Sequence, residues 1–539
     1  MKLKSLFLAW TVVSTAMVAQ NFKNPILHLD YSDPSVVKVG DDFYMTASSF
    51  NCIPGLPILH SSDLVNWTII SYAIPYAQEP LDVFDKPQHG NGVWAPAIRH
   101  HNNLFYIYWG DPDHGIYTVT SQDAITWTKP LLVKEGKGLI DAAPFWDDDG
   151  KAYLVYALAG SRATIKSVLM MADMAPDGLS LLSRSRVIFD GHAEHPTIEG
   201  PKMYKRDGFY YILAPAGGVK PGWQVAMRSQ NPYGPYEIKI VMEQGNTTIN
   251  GPHQGCYVEA DNGEGWFLHF QDKDAYGRIV HLNPVVWRDG WPVMGATPNN
   301  RALTGNPVLT HRMPQTKHVS RGQLPLQQTS DNFESPTLGL QWQWHANPME
   351  WWHFCDMENK QLKLFSVPNA ADYKNLWQSP NLLMQKFPAE GFEMTGKISL
   401  KELMENDVAG FVVFGQDYSG ITFQKFGNGF TMNKISVINA HTGTPETIEA
   451  TRNITHTELL VRVVVNPKRN NNLTSKTDAE CVFSYSLDGG RTFTTFGRPF
   501  IAKAGRWIGA KVGFYNNRTV RNNDGGSLNI ENFDVKITK

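Results

Sequence analysis

The sequence predicts an all-β protein: a five-bladed β-propeller followed by a β-sandwich of the jelly-roll, lectin-like kind. Three observations carry that prediction. A unit of roughly 45–60 residues recurs five times along the first part of the chain, the length of one propeller blade. No helical period is sustained anywhere, whereas short alternating strands broken by Gly, Pro, Asn and Asp are everywhere. Charged residues make up 19% of the 539 positions and aromatics 12%, with 45 Gly and 33 Pro, which excludes a disordered chain or a coiled coil.

Residues 1–20 read as a signal peptide. Lys2 and Lys4 form the positive start, Leu6 to Ala19 is an apolar run too short to span a bilayer comfortably, and small residues follow at Ser14, Ala16 and Ala19. The mature protein is therefore expected to be exported, to the periplasm or outside the cell. No cysteine lies near the cleavage region, so no lipid anchor is expected.

Residues 21–312 hold the repeats. DPSVVKVGDDFYMTAS (33–48) aligns with APAIRHHNNLFYIYWG (95–110), APFWDDDGKAYLVYAL (143–158) and GPKMYKRDGFYYILAP (200–215). GPHQGCYVEADNGEGWFLHF (251–270) aligns more loosely. Each reaches a tight turn (VGDD, HHNN, DDDG, KRDG, DNGEG) and returns as an aromatic-rich strand, which is hairpin chemistry. A single blade cannot bury both faces, but radial packing can. SSDLVNW (61–67) and SQDAITW (121–127) repeat an outer element, so Trp67 and Trp127 are read as structural. Residues 313–330 are polar and broken by Pro and Gly, a linker. Residues 331–539 resume short alternating strands, as in FEMTGKISL (392–400), AGFVVFG (409–415) and LLVRVVV (459–465), and form the sandwich. SLDGGRTF (486–493) has the form of an Asp-box turn, a structural element. Cys52, Cys256, Cys355 and Cys481 make no CxxC or Cys/His cluster, so zinc is not indicated and buried free thiols are expected.

The 49 basic residues balance 51 acidic ones, which argues against a nucleic-acid partner. No other apolar run is long enough for a membrane span, and no oligomeric state follows from the sequence. Chemistry is sought at the blade openings, because these line the funnel of a propeller. Asp33 falls at the opening of blade one, Asp141 just before that of blade three and Glu199 at that of blade four. Blade two offers Trp94 and blade five His253. Acids gathered at one end of the axis repel one another and raise at least one pKa, a costly arrangement unless function requires it. Glycoside hydrolysis requires it. One carboxylic acid protonates the leaving oxygen, one carboxylate activates water, and a third acid keeps the first protonated. The competing readings are a non-catalytic carbohydrate-binding propeller, which needs no acid triad, and a structural surface protein, which needs no funnel.

YSDPSVV (31–37), LIDAAPFWDDDGKAYLVY (139–156) and HPTIEGPKMYKRDGFYYIL (195–213) resemble the three catalytic segments of glycoside hydrolase family 43. NGVWAPAI (91–98), GPHQG (251–255) and GRIVHLNPVVWRDGWPV (277–293) resemble its further signature stretches, and the second region resembles the sandwich of its β-xylosidase-like branch. The resemblance implies an inverting mechanism with Asp33 as general base, Glu199 as general acid and Asp141 as the residue that tunes and orients Glu199. It implies that Arg278 grips the sugar. It also makes His253 a cavity histidine that in many relatives helps hold a cation through water, so a structural Ca²⁺ is an expectation while no cofactor is required for chemistry. Phe50 and Trp94 are expected as walls of the sugar pocket, and Trp223 as a ring beyond it. The substrate expected is an oligosaccharide from plant polysaccharide carrying terminal or branch α-L-arabinofuranosyl or β-D-xylosyl residues. The two sugars present similar hydroxyl patterns, and no residue decides between them.

Overall fold

The computed structural model describes residues 20–76, 82–318, 322–324, 329–469, 477–521 and 523–538. All but one residue of the signal peptide expected over 1–20 lies outside that set, as do parts of the 313–330 linker. No helix among the described residues is long and apolar enough to cross a membrane.

Five four-stranded antiparallel sheets follow one another along the chain, each a simple meander. Their innermost strands are Ser35–Val39, Trp94–His101, Leu139–Trp146, Lys202–Arg206 and His253–Glu259. The aromatic-rich return strands are the second in each blade. Blades pack face to face, and each of the five interfaces has its own apolar cluster. Leu56, Ile58, Ile98 and Trp109 join blades one and two, and Leu213, Met242, Phe267 and Trp291 join blades four and five. The ring closes through the amino-terminal segment. Asn21–Lys23 pairs antiparallel with Thr310–Arg312, and the Asn24 side chain bonds the carbonyls of Leu282 and Val308. Ile26 N–H continues the ladder onto Val280.

The repeat has an irregularity that proline alone does not mark. Every innermost strand enters through a two-residue bulge whose first residue has a left-handed backbone: Asp33 (φ 57°), Ala95 (35°), Asp141 (60°), Gly200 (57°) and Gln254 (47°). The pairing shows it. Trp94 and Ala97 face Gly110 and Tyr108, Ile140 and Ala143 face Ala157 and Val155, and His253 and Cys256 face Phe270 and Leu268. The structural equivalents in blades three and five are thus Asp141-Ala142 and Gln254-Gly255. The alignment on Ala143-Pro144 and Gly251-Pro252 is displaced there. A bulge turns its residues out of the pleat and re-aims them, and Asp tolerates the left-handed region better than most residues.

The second region is two packed eight-stranded sheets. Phe392–Ser399, Asp407–Phe414, Glu458–Arg469 and Ser527–Ile537 match the expected strands. Asp488 accepts the Thr492 N–H and caps the hairpin, a turn device as expected. All four cysteines are free and buried. The sandwich core, with Phe387, Phe392 and Cys481, is continuous with Ala275 and Tyr276 of blade five.

Candidate active site

The five bulges put Asp33, Asp141, Glu199, His253 and Gln254 at one end of the propeller axis. Asp33 is nearly closed off, its side chain 6% exposed. Its Oδ2 accepts hydrogen bonds from Ser32 Oγ (2.8 Å) and Ser48 Oγ, and its Oδ1 lies 3.6 Å from Arg278 Nη1. Arg278 Nη1 also donates to Ser32 Oγ at 2.7 Å, and its guanidinium lies over Phe270 and Trp507. One carboxylate oxygen is fixed by two hydroxyls and the other faces a cation.

Asp141 is buried between the blades. Its Oδ2 accepts Gly200 N–H and Gln254 Nε2–H, each at 2.8 Å. Burial first, then the charges of Glu199 and Asp33, push its carboxyl well above the usual carboxylate range. Gly200 is needed there, because a Cβ would stand 2.2 Å from Gln254 Oε1. Glu199 is the most open of the three, with its side chain 23% exposed, and its Oε1 meets His253 Nε2 at 2.7 Å. Oε2 of Glu199 is left facing the funnel.

The funnel wall is made by Phe50 and Trp94, whose rings meet edge to face at 6.5 Å. Trp94 is tied by its indole N–H to Gly90 O and lies under the Arg162 guanidinium. Against this wall the sandwich intrudes. Its loop 503–510 places Trp507 6.4 Å from Trp94 and over Arg278. Asp30 holds the loop: Oδ1 accepts Arg278 N–H and Oδ2 accepts Gly509 N–H, so one carboxylate joins blade five to the sandwich. Beside it a cavity of about 580 Å³ opens between the domains, lined by Lys220, Asp274, Arg278, Trp377, Arg506 and Trp507.

Residues 22–292 of the sequence match the model of the glycosyl hydrolases family 43, and 330–536 match the β-xylosidase C-terminal Concanavalin A-like domain. This chain belongs to glycoside hydrolase family 43. Among family relatives, the "Putative beta-xylosidase" of Xylanibacter ruminicola is 36% identical over 91% of this chain and 85% of its own length. The non-reducing end α-L-arabinofuranosidase BoGH43B of Bacteroides ovatus is 28% identical over 75% of this chain and 76% of its own. The crystal structure of the family 43 protein BlXynB from Bacillus licheniformis superposes with a TM-score of 0.81 at 24% identity, over 96% of this chain and all of that one, and so shares the fold.

Of the site residues named from sequence, this family 43 chain brings Asp33, Asp141, Glu199, Arg278, His253, Phe50 and Trp94 to one funnel. Trp223, expected as a ring beyond the sugar pocket, is packed against the core cluster of blades three and four. Its ring lies against Gly217 and its indole N–H donates to His195 Nδ1. Trp67 is buried with its N–H on Leu64 O, and Trp127 packs on Phe105, both in the outer blade elements. Sequence reading missed Ser32, Ser48 and Gln254, the side chains that hold two of the acids. Gln254 stood inside the GPHQG stretch, where the shifted bulge register would have found it. Trp507 and Arg506 carried no signal of their own.

Proposed function

We propose that the protein is an exported, inverting exo-glycosidase. It releases L-arabinofuranose or D-xylose from chain ends or branches of plant cell-wall oligosaccharides. The observation that carries this reading is the unlike bonding of the acids on blades one and four. Asp33 is held as an acceptor by two serines beside a cation, and Glu199 keeps an open oxygen toward the funnel. Relatives named for both pentosidase activities support the substrate class.

The sugar enters the funnel alongside Phe50, Trp94 and Trp507, and Arg278 grips its hydroxyls with the planar fork that suits paired oxygens. Asp33 takes a proton from water as the water oxygen bonds the anomeric carbon from one face. The glycosidic C–O bond breaks on the other face, and Glu199 gives its proton to the leaving oxygen. One displacement inverts the configuration. Solvent then returns a proton to Glu199 and removes one from Asp33. Asp141, whose carboxyl is pushed up by burial and by the neighbouring charges of Glu199 and Asp33, is the residue that tunes Glu199 as donor. The intruding sandwich loop closes one side of the funnel, which suits chain-end over mid-chain attack.

A hydrated Ca²⁺ near His253 belongs to the same proposal. Nδ1 of His253 is buried without a protein partner, a place for a cation-bound water. The described residues hold no group of three or more His, Cys, Asp or Glu suited to a metal, so any ion is held through water. No step passes through it.

The test is a panel of nitrophenyl α-L-arabinofuranoside and β-D-xyloside, with product NMR. Asp33→Asn and Glu199→Gln should each lower kcat by about 10³-fold or more with folding intact. EDTA-treated enzyme should keep its rate. Near-wild-type turnover in either acid variant, or retention of configuration, would overturn the reading.

A further inference from the structure

We propose that Cys52 and Lys511 form a covalent modification site: dioxygen joins the thiol to the amine through one bridging oxygen, S–O–N, and fastens blade one to the sandwich. The inference stands apart from the reading of the acids given above.

The pair is marked by its burial and by its partners. Cys52 is 2% exposed and Lys511 3%. Lys511 Nζ points at Cys52 Sγ from 3.0 Å, and its one other side-chain partner is Gln343 Oε1 at 3.1 Å. Among the described residues no carboxylate lies within ion-pair distance of that amine. A lysine withdrawn this far from water is ordinarily paired with an acid. Here a sulfur stands in the acid's place. Oxidised sulfur is captured by the nucleophile that stands against it, and at Cys52 that nucleophile is an amine. Cys256 and Cys481 differ, because their thiols turn to the carbonyl oxygens of Val36 and Ala479.

The separation suits an inserted oxygen. Two single bonds meeting at one oxygen nearly span it, whereas a direct S–N bond would need propeller and sandwich to draw together. A narrow cavity touches Lys511 and shares the walls His89, Trp377, Arg506 and Ile508 with the interdomain cavity of about 580 Å³. A molecule as small as dioxygen thus has a path to the amine.

In the step, the thiol loses its S–H hydrogen and the neutral amine loses one N–H hydrogen. S–O and O–N bonds form to the same oxygen atom as the O–O bond breaks, and the second oxygen leaves as water with both hydrogens. Sulfur and nitrogen each give up two electrons, the four that reduce dioxygen. If the amine starts as ammonium, its extra proton goes to solvent. Cys52 follows Phe50 by two residues and Lys511 follows Trp507 by four. The bond therefore ties together the segments that carry those two rings.

The test is peptide mass spectrometry of the folded full-length protein. One arm is held in dioxygen-saturated buffer and the other under anaerobic dithiothreitol, and both are then digested. The oxygen arm should yield a peptide pair joining Cys52 to Lys511, heavier than the two peptides by one oxygen less two hydrogens. Dithiothreitol should dissolve it, and neither Cys52→Ser nor Lys511→Arg should form it. The wild-type oxygen arm should melt a few degrees above its reduced arm, while the two arms of Cys52→Ser melt together. Free Cys52 and Lys511 in both arms overturn the inference, and so do equal melts of the two wild-type arms. A pair lighter by two hydrogens, which is a direct S–N bond, overturns it as well. So do oxygen acids on Cys52 beside an unmodified Lys511, and oxidation spread evenly over Cys256, Cys355 and Cys481.

Discussion

Asp141 shows what a function-bearing residue costs its own fold. The native carboxyl is pushed up, chiefly by burial, so the folded chain keeps a proton that the unfolded chain, near 3.8, releases. The native state then binds more protons than the unfolded one over that interval. Stability falls as pH rises from about 3.8 toward the native value, and below it the penalty is absent. Asn at 141 stays neutral and its Oδ1 can accept the same Gly200 and Gln254 bonds. Asp141→Asn should therefore be more stable than wild type at pH 7, by on the order of 1 kcal/mol, with no gain at pH 3 and a large loss of kcat. Paired thermal melts at the two pH values check this, and equal melting points at pH 7 would refute it. The three acids were legible in the sequence because each stands at a blade opening. Ser32, Ser48 and Gln254 were not, because a serine or glutamine bonding a distant carboxylate has no spacing of its own.

At the scale of elements, the hairpins were legible because turn residues and aromatic returns repeat. The register of their entrances was not. A bulge leaves its mark in the backbone, and proline directly follows its left-handed residue in blades one, two and four while standing three residues after it in blade three. The intrusion of loop 503–510 was equally hidden, since it is a contact between chain segments hundreds of positions apart. That loop depends on Gly509, whose Cβ would stand 2.9–3.0 Å from the Gly277 backbone. Gly509→Ala should lift the loop and with it Trp507. KM for nitrophenyl pentosides should rise about five- to tenfold with kcat changed less. Trp507→Ala should do much the same, and the double variant little more than either, because both remove one wall. Additive losses in steady-state kinetics would show that Gly509 acts elsewhere.

The whole molecule behaves as one body by the character of its domain boundary. Ile53 and Trp344 exchange backbone hydrogen bonds, Asn51 donates to His345 O, and His89 stacks on Trp377 at 3.5 Å. Lys511 of the sandwich reaches Cys52 of blade one at 3.0 Å, and Tyr276 lies in the sandwich core. Interfaces between independent domains are more polar and less interlocked than this. Calorimetry should show a single unfolding transition, and two resolved transitions would contradict the coupling. Propeller and sandwich were each legible as separate patterns, whereas their fusion arises from side chains that no local pattern marks.

The closure of the ring has a consequence for biogenesis. Asn21–Lys23 finds its partner in Thr310–Arg312, so the first strand synthesised must wait for one made about 290 residues later. At ribosomal speed that is a delay of about fifteen seconds to a minute. Throughout it, blade one offers an uncovered flank and the leading strand an open edge to any neighbouring nascent chain. A holding factor at the point of emergence, or synthesis slow enough to keep neighbours apart, is what such a circular architecture asks of its cell.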